Sequence, residues 1–120
     1  MADIPRKILM LDDDFESMQN LQVYVKKELN LNVELSAEKS LLERLDRERF
    51  ELLIVDLMIH PRSPNADNQE VENIHYEGVK WDRTGLEFIR RFRQGEYTKT
   101  GQGTSVDVPI IIMSAVGESA

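Results

Sequence analysis

The sequence predicts an α/β domain built on a doubly wound parallel sheet, and three observations carry that reading. Short apolar runs of strand length alternate with stretches of helical period, the runs are apolar throughout, and two of them end in acids. Strands buried on both faces of a parallel sheet read as continuous Val/Ile/Leu-rich runs, and parallel neighbours need a crossover that is usually helical. At 120 residues the chain is long enough for one domain with a real core and too short for two, so the region 1–120 is read as a single unit.

Lys7 to Leu11 (K-I-L-M-L) is the first strand and runs into Asp12, Asp13 and Asp14. From Phe15 the period changes. Phe15, Met18, Leu21 or Gln22, Val25 and Leu29 predict an amphipathic helix with acids at its positive N-terminal end, and Asn30 suits a left-handed stop. Leu31, Val33 and Leu35 then alternate with Asn32, Glu34 and Ser36, the pattern of a strand half-exposed at a sheet edge. Ala37, Leu41, Leu42 and Leu45 predict a second helix over 37–47.

Leu52 to Val55 (L-L-I-V) is the third strand and ends at Asp56. Residues 59–84 form an inserted loop: His60 to Asp82 holds two prolines, many polar residues and no sustained period. Gly85 to Arg93 returns to helical spacing, with Leu86, Ile89 and Phe92 toward the sheet and Phe88 beside them. Residues 94–108, rich in Gly and Thr, read as a flexible linker. After Val108-Pro109 comes a fourth strand, Ile110 to Met113, which ends in Ser114 and Ala115.

Composition narrows the function classes. A net charge of −7 argues against binding nucleic-acid phosphates or an anionic membrane surface. The absence of cysteine excludes disulfides, thiolate catalysis and Cys-ligated metal. No apolar stretch approaches membrane-spanning length, and none follows the basic pair Arg6-Lys7, so a cytoplasmic location is expected.

Open α/β sheets place ligand chemistry in the crevice beyond the C-terminal strand ends, at the point where the strand order reverses. In a doubly wound sheet the first and third strands are neighbours there, so Asp12, Asp13 and Asp56 are expected to converge, with Ser114 supplied by the fourth strand. On its own, Asp56 could equally begin a turn. Carboxylates held so close repel by roughly 1 kcal/mol in water and about 4 kcal/mol at a protein-like dielectric. Without a cation one of them should have a raised pKa. Hard divalent cations relieve this, and the pattern reads as a Mg²⁺ cradle with a carboxylate nucleophile.

Four stretches in this order resemble the response-regulator receiver domain of two-component signalling. They are K-I-L-M-L-D-D-D, F-E-L-L-I-V-D-L-M, D-R-T-G-L-E-F-I-R-R-F-R and V-P-I-I-I-M-S-A. The resemblance implies a flavodoxin-like sheet of strand order 2-1-3-4. It implies Asp56 as phospho-acceptor, Asp13 and Asp56 as carboxylate Mg²⁺ ligands, the Met58 backbone carbonyl as a further ligand, and Asp12 acting through the metal's water shell. Ser114 matches the hydroxyl that engages the phosphoryl group, and Ala115 the small residue that leaves room for the donor. Asp14 falls at a position the family varies and takes no role. The implied partner is a sensor histidine kinase or phosphotransfer protein. Such a module catalyses its own phosphorylation and is not an enzyme with turnover.

Some features depart from that pattern. His60 stands where the family places proline, Pro61 follows it, and about twenty residues are inserted before Gly85. His60, His75, Tyr76 and Trp81 within the insertion are expected to be ordinary loop residues, with the Trp packed on the domain. The family's fifth strand, its lysine and its last helices have no counterpart after the fourth strand, and neither Lys80 nor Lys99 is assigned that lysine's role. An open fourth-strand edge then invites pairing with a second copy, a homodimer. The competing reading is a degenerate receiver that serves as a phosphorylation-independent interaction module. A haloacid-dehalogenase-type phosphohydrolase, suggested by Asp12-x-Asp14, ranks below both, because no Thr or Gly follows Asp14.

Overall fold

The computed structural model describes residues 6–114. In chain order the strands are β1 (Lys7–Leu11), β2 (Asn32–Leu35), β3 (Leu52–Asp56), β4 (Arg62–Pro64), β5 (Glu70–Glu72) and β6 (Ile110–Met113). The helices are α1 (Phe15–Leu29), α2 (Leu41–Arg44) and α3 (Thr84–Arg93). Four strands form one parallel sheet in the order β2-β1-β3-β6, so the three apolar runs and the alternating edge strand assemble in the expected order. The chain passes from β1 to β2 on one side and returns to β3 on the other, which puts the reversal of winding between β1 and β3. Register sets Leu11 beside Val55, so Asp12 and Asp56 are neighbours at the C-terminal edge.

The central strand is buried on both faces, which is why it carries no alternation. Leu9 and Leu11 pack with Leu53 and Val55 of β3 and with Phe88 and Phe92 of α3. Ile8 and Met10 pack with Val33 and Leu35 of β2 and with the half-buried Phe15, Met18 and Val25 of α1. Asp14 caps α1, its carboxylate accepting from the Ser17 N–H at 3.2 Å, and Asn30 closes the helix in the left-handed conformation, φ 51° and ψ 41°. Of the two residues left open in the helix seam, Gln22 is the one turned inward; its Nε2 donates to the Val33 carbonyl at 2.8 Å, and Leu21 is exposed. Leu29 is exposed too, because the chain turns at Asn30 and Leu31 packs there instead.

Three expectations are corrected. The second helix spans only Leu41–Arg44 rather than 37–47. Residues 37–39 ahead of it pair with the returning chain instead: Ile74 N–H donates to the Ala37 carbonyl, Lys39 N–H to the Glu72 carbonyl, and Glu38 bridges Asn73. Backbone groups committed to that segment cannot also serve a helix. In α3 the inward seam is Gly85, Phe88 and Phe92, with Ile89 half-buried and Leu86 exposed. Gly85 sets that rotation, because its N–H donates to the Leu57 carbonyl at 3.0 Å and its α-carbon lies hard against the end of β3. Finally, the inserted loop has structure of its own. β4 and β5 form an antiparallel hairpin whose turn is organised by Asn65 Oδ1, which accepts from the N–H groups of Asp67 and Gln69, both at 2.9 Å. Ile59 and Ile74, at its two ends, belong to the main core.

Residues 94–108 contain neither helix nor strand but are pinned at several points. Thr104 is buried; its hydroxyl donates to the Glu48 carbonyl at 2.7 Å and accepts from Phe50 N–H at 3.1 Å. Arg93 reaches the Val106 carbonyl at 2.6 Å, and Tyr97 stacks on Phe88. No helix among the described residues is long and apolar enough to cross a membrane.

Candidate functional site

Each acid of the site is placed by a strand end and fastened by a backbone N–H. Asp12 is buried, and its Oδ1 accepts from the Asp14 N–H at 2.8 Å. Asp56 ends β3, and its Oδ1 accepts from the Met58 N–H at 3.0 Å. Asp13 Oδ2 accepts from the His60 N–H at 2.7 Å and lies 2.7 Å from His60 Nδ1. One oxygen of each carboxylate is thus tied to a backbone N–H. Asp12, Asp13 and Asp56 each present an oxygen such that all three lie within 4.8 Å of one another.

Three carboxylates at that separation strain one another. Each pair of full charges at 4.8 Å repels by roughly 3–4 kcal/mol at an effective dielectric of about 20. Burial is the largest influence on Asp12 and raises its pKa to about 7; the Asp14 N–H opposes this, and the charges of Asp56, Asp13 and Asp14 add to it. Asp56 is raised as well, first by burial, against the Met58 hydrogen bond and a hydrogen bond with Asp12, with Asp13 adding repulsion. The donor set is all oxygen and anionic. Opposite oxygens around a Mg²⁺ ion stand about 4.2 Å apart at its usual bond lengths, and Mg²⁺ commonly keeps waters beside one or two carboxylates. The donor set of Asp12, Asp13 and Asp56 therefore fits such an ion.

The other predicted residues sort as follows. Met58 donates its N–H to Asp56 Oδ1. Ser114 follows Met113, the register partner of Asp56, at the same edge of the sheet. Ala115 lies outside the described residues. Within the insertion, His75 pairs with Glu72 at 2.8 Å, and Tyr76 is half-buried against the main core with its hydroxyl 2.6 Å from that of Tyr97. His60 lies at the acids. It touches Asp13 directly, and its ring stacks on Trp81 with centroids 4.3 Å apart and planes 19° from parallel. The one sequence signal for this is a histidine four residues beyond a strand-end acid. A cleft of about 280 Å³ opens beside the acids toward the hairpin, bounded by Asp12, Asp13, Ser36, Ser40, Asn65 and Asn73.

No family model, no curated protein and no solved structure matches the chain.

Proposed function

We propose that this chain is a phospho-accepting receiver module of a two-component signalling system, with a flavodoxin-like fold, in which Asp56 takes up a phosphoryl group in a Mg²⁺-dependent reaction. The observation that carries the reading is the meeting of Asp12, Asp13 and Asp56 within 4.8 Å, at the ends of two adjacent parallel strands where the winding reverses. A carboxylate is a competent phosphoryl acceptor. Asp56 offers the oxygen not held by Met58 to the phosphorus of a small acyl phosphate or a phosphohistidine. The new P–O bond forms in line with the bond that breaks, and the electron pair of that bond leaves with the carboxylate or imidazole of the donor. When bound, Mg²⁺ neutralises charge on the transferring oxygens and on the cluster. Asp13 and Asp56 would hold it, with the Met58 carbonyl beside them and Asp12 on its water shell.

Transfer leaves an acyl phosphate with nearly two negative charges beside the end of β6, where Ser114 is the hydroxyl suited to engage it. The partner on this reading is a sensor histidine kinase or phosphotransfer protein, and the setting is the cytoplasm. Incubation with Mg²⁺ and acetyl phosphate, followed by intact mass, tests it. One phosphoryl group per chain is expected, lost with EDTA and in Asp56→Asn. Equal uptake by Asp56→Asn would overturn the assignment.

A second reading, a degenerate receiver that binds partners without phosphorylation, draws on the His60–Asp13 contact, since the backbone N–H and ring nitrogen of His60 already engage one oxygen of Asp13. It predicts no Mg²⁺ uptake.

A further inference from the structure

His60 is held from four directions. Its N–H donates to Asp13 Oδ2, its ring nitrogen Nδ1 meets the same oxygen, its carbonyl accepts from Asn73 Nδ2 at 2.9 Å, and its ring lies flat on Trp81. Each support is itself anchored. Asn73 is buried, its N–H donates to the Pro61 carbonyl at 2.7 Å, and its side chain also reaches the Ser63 hydroxyl at 2.7 Å. Trp81 is tied through its carbonyl to the N–H of Ile59, the residue before His60, at 3.0 Å. The two ends of the inserted segment therefore close on one side chain, and that side chain bears on one acid of the site.

We infer that His60 is a positioning residue for Asp13, backed by Trp81, and that the inserted segment acts on the cation site through it. The inference rests on the function proposed above and deepens it. Because the partner oxygen belongs to a carboxylate, Nδ1 is the donor, and two hydrogen bonds then converge on Asp13 Oδ2. They fix the rotation of the carboxylate and present its other oxygen to a cation. Hydrogen bonds to the outer oxygens of ligating carboxylates commonly govern affinity by about 10–100-fold. The backbone N–H alone cannot do this, since it leaves the carboxylate free to pivot about a single contact. The ring needs its own support as well, because it is more than half exposed. The indole supplies it.

Two substitutions separate the ring's roles. His60→Asn keeps a donor near the position of Nδ1 and gives up most of the stacking surface; His60→Phe keeps the stacking and gives up the donor. Calorimetric titration with Mg²⁺ alone, on the full chain, reads the effect without any phosphoryl transfer, and Trp81 fluorescence follows the same titration. Thermal melts without Mg²⁺ check that both variants fold. The expected result is a loss of about tenfold or more in Mg²⁺ affinity for His60→Phe, with a smaller loss for His60→Asn, which keeps the donor without the indole's support. Wild-type affinity in His60→Phe, tighter binding in His60→Phe, or equal losses in the two variants would each overturn the inference while leaving the proposed function standing. If the wild type itself takes up no Mg²⁺, the proposed function falls and the inference falls with it.

Discussion

A methyl group on Gly85 would stand 2.2 Å from the Asp56 carbonyl oxygen and 2.7 Å from the Leu57 α-carbon, both backbone atoms that cannot rotate aside. This contact seats the first turn of α3 against the strand that carries Asp56. Gly85→Ala should therefore cost about 1–3 kcal/mol, the usual penalty for forcing atoms into a packed site. A urea melt of the variant with an unchanged midpoint would contradict so close a packing. Charge is organised at the same scale around Glu48. Hydrogen bonds from Arg44 and then Lys7 hold its carboxyl down to about 2, from an ordinary 4.5. A carboxylate depressed by folding lends stability that is present above its unfolded value and lost as pH falls through its folded one. Pairs this open to solvent are worth roughly 0.2–1 kcal/mol each. Glu48→Gln is expected to lose up to about 1 kcal/mol near pH 7 and to show a shallower decline between pH 4.5 and pH 2. Parallel stability curves for variant and wild type over that interval would count against the pairing.

Among the elements, the inserted segment behaves as part of the core. Ile74 is fully buried in the cluster that contains Phe88 and Phe92, and its N–H donates to the Ala37 carbonyl at 2.9 Å. Ile74→Ala should cost about 2–5 kcal/mol, as buried Ile-to-Ala truncations do; a loss near zero in denaturant unfolding would show that the segment hangs free. This is also where the sequence is hardest to read. β1, β3 and β6 are legible because strands covered on both faces become apolar runs with nothing to alternate against. β4 and β5 are three residues each, R-S-P and E-V-E, half or fully exposed, and leave no such trace. α2 is overread because Ala37, Leu41 and Leu45 are indeed buried at helical spacing. What delays the start of the helix is the return of Asn73 and Ile74 to the backbone at 37–38, a long-range event that no local pattern announces. The meeting of Asp12, Asp13 and Asp56 is legible because it follows from topology alone. The part played by His60 is not, since it depends on where Trp81 comes back to the site.

For the whole molecule, the sheet is covered unevenly. α1 lies over β1 and β2, and α3 lies under β1 and β3. Ile111 and Ile112, adjacent on β6 and so facing opposite sides, are both about half exposed at 51%. Among the described residues β6 is the edge strand beyond β3, and it is four residues of I-I-I-M with no charge to blunt it. Edges of that kind recruit another strand unless something protects them. We predict a homodimer formed by two β6 edges. Sedimentation equilibrium should give a mass that rises with concentration, and Ile111→Lys should return it to the monomer. A constant monomer mass over about a hundredfold range of concentration would contradict this.

We propose that three carboxylates at the ends of two adjacent strands, β1 and β3, hold one divalent cation. This is tested most directly by anomalous diffraction from crystals soaked in Mn²⁺, an octahedral oxygen-seeking stand-in for Mg²⁺. A single strong peak is predicted at bonding distance from the Asp13 and Asp56 carboxylates, with Asp12 one water away. A fully soaked crystal with no peak among these three residues would contradict the account.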